Sequence, residues 1–133
     1  MQYGKRFILL IVLALFASLN GCSPNKNTIT YNGQGDSWKG ILTITKNKAA
    51  KQGTGKLTLI YYKTDSDPVK HVSYELRGLG DDVKGYVPLL SENGTLAQDF
   101  TCTKCMDMKN DAVQVKVKWN FGREAFVLPL VKQ

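Results

Sequence analysis

Seven residues late in the chain, Val113-Gln114-Val115-Lys116-Val117-Lys118-Trp119, alternate apolar and polar without a break. Successive side chains of a strand point to opposite faces, so this period of two assigns Val113, Val115, Val117 and Trp119 to a buried face and Gln114, Lys116 and Lys118 to a wet one. The period recurs in His71 to Arg77, where Val72, Tyr74 and Leu76 share a side. It recurs again in Trp38 to Thr45 (Trp38, Leu42 and Ile44 together), in Lys56 to Tyr62 (Leu57, Leu59 and Tyr61) and in the last strand (Phe126, Leu128 and Leu130). No ten-residue stretch of the domain carries a helical apolar period between capping signals, so the chain is expected to be all-β.

The punctuation between these runs sets the expected connections. Gly53-Thr54-Gly55 is expected to turn the chain, making a hairpin of the Trp38 and Lys56 segments with a long, lysine-rich connection. Asn93-Gly94 is expected to join strands around Tyr86–Leu90 and Leu96–Cys102 as a hairpin, because both residues accept positive φ. Pro88 marks the first of these as an edge. Asn120-Phe121-Gly122-Arg123 closes the last hairpin. Seven or eight short strands in about a hundred residues imply a two-sheet antiparallel sandwich of immunoglobulin-like shape, with a small antiparallel β-barrel as the alternative.

Ahead of the domain the composition changes. Lys5 and Arg6 precede an apolar run from Phe7 to Leu19, the charged and hydrophobic regions of a secretory signal. As a helix that run reaches about 20 Å, short of a hydrocarbon core of about 30 Å, which argues against a permanent span. It ends in Leu19-Asn20-Gly21-Cys22, which resembles the lipobox of bacterial lipoproteins, with Asn20 less usual than Ala or Ser at a permissive position. The resemblance implies cleavage between Gly21 and Cys22, a diacylglyceryl group on the Cys22 thiol and acylation of the new amino group. Residues 1–21 are then signal peptide, 22–37 a lipidated cysteine and flexible tether, and 38–133 the sandwich. Thr28-Ile29-Thr30-Tyr31 within the tether carries the pattern of a short edge strand.

Cys102-Thr103-Lys104-Cys105, followed by Met106-Asp107-Met108, is the motif with the most obvious chemistry. An exported chain meets an oxidising compartment, and a lipidated Cys22 leaves an even pair, so a Cys102–Cys105 disulfide fixing a turn is expected. Thiol exchange is one alternative, although the strand-helix-strand context of such enzymes is missing around the pair. Soft-metal binding is another, since two thiolates with Met106 and Met108 suit Cu(I). A zinc site needs two further ligands, and the chain has one histidine, His71.

Ser37-Trp38-Lys39-Gly40, Cys102-Thr103-Lys104-Cys105 and Val115-Lys116-Val117-Lys118-Trp119-Asn120 together resemble small lipoproteins of Bacillus-like bacteria. The likeness spans most of the mature domain and implies an address and a fold rather than an activity: export, and lipid anchoring on the outer face of the cell membrane, or the outer membrane in a Gram-negative host.

Charge bears on partners. After removal of residues 1–21, sixteen basic residues face eleven acidic ones, a formal +5. On an exported chain with dispersed lysines this points to an anionic envelope component or a protein partner rather than nucleic acid. Lys116 and Lys118 read most simply as a solvated strand face. Asp81-Asp82 after Gly80 reads as a turn. No phosphate loop, nucleotide fingerprint or nucleophile-and-base arrangement is present, so a non-enzymatic binding module without cofactor is expected.

Overall fold

The computed structural model describes residues 27–64 and 66–131. The segment expected to be a signal peptide, residues 1–21, and the expected lipid-attachment residue Cys22 lie outside the described residues. Eight strands follow in order: β1 (Asn27–Gln34), β2 (Trp38–Asn47), β3 (Gln52–Tyr61), β4 (Lys70–Arg77), β5 (Val83–Leu89), β6 (Thr95–Cys102), β7 (Ala112–Trp119) and β8 (Gly122–Pro129). A single 3-10 turn, Lys104–Asp107, is the one helical element among the described residues outside the strands. No described helix is long and apolar enough to cross a membrane.

The strands form two antiparallel sheets, ordered β1-β2-β3-β6 and β5-β4-β7-β8. Pairing of β3 with β6 and of β4 with β7 places the crossovers between sheets, the neighbour relations of an immunoglobulin-like Greek key. The sheets stay separate rather than closing into a barrel. They meet along one side through the Tyr31–Leu130 bridge and the Val131 N–H donating to Thr30 O at 2.8 Å.

The core is what period two predicts. Trp38, Leu42, Ile44, Leu57, Leu59 and Leu96 from one sheet pack on Val72, Tyr74, Leu76, Val113, Val115, Val117, Phe126 and Leu128 from the other, all buried. At one end Trp38, Tyr61 and Trp119 interlock, with ring centroids 5.1, 5.6 and 6.1 Å apart in tilted and edge-on contacts that bridge the sheets. Glu124 of β8 adds a polar tie, accepting from the N–H of Ser37 at 3.0 Å and of Trp38 at 3.4 Å.

Two connections and the extent of one strand differ from expectation. The β2–β3 hairpin turns at residues 48–51, with Lys51 at φ 52°, while Gly53 and Gly55 lie inside β3. Those glycines serve close approach: a Cβ on Gly53 would sit 2.6 Å from Cys105 Sγ, and one on Gly55 would enter the Phe100 ring. Asn93-Gly94 does form a turn, with Gly94 at φ 72° and its N–H donating to Ser91 O at 2.9 Å. The strands on either side nevertheless belong to different sheets, so the turn is a crossover and not a hairpin. Finally, β1 takes in residues 27–34, which sequence had placed in the tether around a short edge strand. All eight residues pair with β2, from Asn27–Lys46 to Gln34–Lys39, and Tyr31 is buried. Asn and Gly there did not prevent pairing because β2 offered a full-length edge.

Candidate functional site

Cys102 ends β6 and Cys105 lies in the 3-10 turn that follows, which folds back so that the two are bonded with Cα atoms 5.6 Å apart. Cys102 is 3% exposed and Cys105 fully buried. Gly53 on the neighbouring strand, paired with Cys102, leaves the space both sulfurs occupy. The turn is held from the other sheet: one carboxylate oxygen of Asp81 accepts from the N–H of Thr103 and of Lys104, each at 3.0 Å. Gly80, at φ 80°, lets that loop pass against the Lys104 side chain. Asp81 thus does more than turn the β4–β5 loop; it binds the segment that carries the disulfide.

This geometry favours a structural bond. A thiolate attacking either sulfur needs an open approach, and both are packed in the core. Met106 and Met108 flank the pair, and Met108 packs on the core. His71 sits on the other sheet, where its Nδ1 is 2.8 Å from Tyr86 Oη and the rings stack. Among the described residues no three His, Cys, Asp or Glu side chains come together as a metal site.

A second candidate emerges from strand register. On the outer face of β5-β4-β7-β8, Tyr86, Ser73, Lys118 and Arg123 lie abreast in one row. Lys84, Glu75, Lys116 and Ala125 form the next, and Arg77, Gln114 and Val127 the third. An open depression of about 700 Å³ lies over the first two rows, lined by Ser73, Glu75, Lys84, Lys116, Lys118 and Arg123 among others. The face carries five cations against one carboxylate, and Glu75 Oε1 accepts from Arg77 Nε at 3.2 Å. Alternation had turned Lys116 and Lys118 outward; that Lys84, Arg77 and Arg123 share their face follows only from which strands pair.

The fold and these features define a disulfide-bearing β-sandwich with one cationic sheet face. No protein-family model, curated protein or solved structure matches the chain.

Proposed function

We propose that this protein is a lipid-anchored extracytoplasmic binding module, exported by residues 1–21, cut before Cys22 and held on the outer face of a membrane by lipid on that cysteine. The observation that carries the reading is Leu19-Asn20-Gly21-Cys22 at the end of a short apolar run. Two acyl chains give stable attachment where a single chain gives only marginal binding. Four residues lie between Cys22 and the first residue of β1, so the anchor and Asn27 are at most about 18 Å apart along the chain. The sandwich then stands close to the bilayer with the β1 start, the residue 48–51 turn and the disulfide turn at its anchored end. Binding rather than catalysis is supported by the role of the cysteine pair, whose sulfurs are committed to a buried bond.

The test is metabolic labelling with a fatty-acid probe. Wild-type protein takes up label and stays with the membrane, whereas Cys22→Ala loses the label and is found unprocessed or free in the medium. A Cys22→Ala protein that is still labelled and membrane-bound overturns the reading.

A further inference from the structure

We infer that the outer face of the β5-β4-β7-β8 sheet is the binding surface of this module and that its partner is a linear phosphodiester polyanion of the cell envelope. The inference rests on the extracytoplasmic reading for where such a polymer is met, and on the structure for the surface itself. Five cations and one carboxylate on a single face hold most of the mature chain's net charge of +5. The outer face of the other sheet is nearly balanced, with Lys39 and Lys56 against Asp99 and a row of threonines, Thr28, Thr45, Thr54 and Thr101, across its four strands.

Spacing suits a repeating anion. Lys116 and Lys118 stand about 6.8 Å apart along β7, Arg123 is the cross-strand neighbour of Lys118, and Lys84 lies two strands from Lys116, about 10 Å away. Glu75 stands between Lys84 and Lys116, but its carboxylate is engaged by Arg77. The Arg77–Glu75 pair is the only ion pair among the described residues, which leaves Lys84, Lys116, Lys118 and Arg123 to a partner. These four line one depression together with Ser73, Ala125 and a second carboxylate, Glu124, whose oxygens are engaged by the N–H groups of Ser37 and Trp38. A flexible chain can follow this depression across the strands and meet the four cations in turn.

The experiment uses full-length protein in phosphatidylcholine nanodiscs titrated with poly(glycerol phosphate), with phosphatidylglycerol nanodiscs as a second arm. Saturable polymer binding is expected. With four contacts its affinity falls about fiftyfold between about 50 and 200 mM salt, because each contact releases a fraction of a counterion. K116Q/K118Q/R123Q lowers affinity by about tenfold or more at fixed salt. K118Q alone moves it in the same direction by less, and K39Q/K56Q on the opposite face leaves it unchanged. Thermal melting confirms that each variant is folded. Three outcomes overturn the inference: no polymer binding at the lower salt, equal affinity in a folded triple variant, or association with phosphatidylglycerol nanodiscs but not with polymer. Intact mass of the same preparation reports whether Cys22 carries lipid, so a failed anchor is distinguished from a failed surface.

Discussion

Tyr31 and Tyr74 bury their hydroxyls under opposite conditions. Tyr31 Oη donates to Asn110 O at 3.0 Å, while Tyr74 Oη is buried without a hydrogen-bond partner. Removing the first should cost about 1 kcal/mol, and removing the second should be neutral or stabilising, because an unmade bond in the core is itself a penalty. Urea midpoints of Tyr31→Phe and Tyr74→Phe check this; equal losses would refute the contrast. Burial raises both phenols above their ordinary value of 10.0, with the charge of Asp111 adding to the effect on Tyr31. A raised pKa means that the fold favours the neutral phenol. The corresponding stability is therefore whole below pH 10 and lost as pH climbs from there through the folded-state values. The Tyr31→Phe/Tyr74→Phe double variant should show a flatter alkaline decline in urea midpoint than wild type. At Gly53 the expectation is steric: Gly53→Ala drives a methyl to 2.6 Å from Cys105 Sγ and should cost about 1–3 kcal/mol in a urea titration. Little of this was legible beforehand. The Cys102-Thr103-Lys104-Cys105 spacing announced a pair, but neither Gly53 nor Asp81 is near it in sequence.

At the level of elements, alternation identified the inward faces of β2, β3, β4, β7 and β8, because each strand has one side in the core. Partners were harder to read. Asn93-Gly94 specifies a local turn, and a local turn does not determine whether the next strand returns to the same sheet; Leu96 finds Leu59 across β3 instead. Gly53 and Gly55 look like turn residues but accommodate neighbours, a distinction that exists only once β6 is alongside. The clearest case is β1: the sequence marks Thr28–Tyr31 as a short edge strand, and the polar residues on either side hid its full length, Asn27–Gln34. Its removal gives a direct test: a chain starting at Trp38 exposes the β2 edge and vacates the space of Tyr31, which is 1% exposed. Circular dichroism should show no cooperative melt for residues 38–133 where residues 27–133 melt sharply, and identical melts would make β1 dispensable. The 103–107 segment offers a milder perturbation. Asp81→Ala withdraws the acceptor shared by two backbone N–H groups and should lower stability by about 1–3 kcal/mol in the same assay.

For the whole molecule, composition gave the sign of the charge but not its place. The excess is gathered on one sheet face because β5, β4, β7 and β8 are neighbours, although Lys84 and Arg123 are distant in sequence. Lysine and arginine side chains standing in solvent on this face contribute little to stability, so their placement is free to serve recognition. The disulfide acts differently. Closing so short a loop restricts the unfolded chain modestly, and Cys102→Ala/Cys105→Ala should cost about 2 kcal/mol while polymer binding persists in the folded fraction. The contact between residues 30 and 131 reaches further than stability. Among the described residues it sets the first strand beside the residues that follow the last, so the eight strands come close to a ring and their order has no privileged opening. A short linker across that gap and a cut between Asn120 and Phe121 should yield a circularly permuted chain with the same two sheets, its order of synthesis changed and its architecture retained.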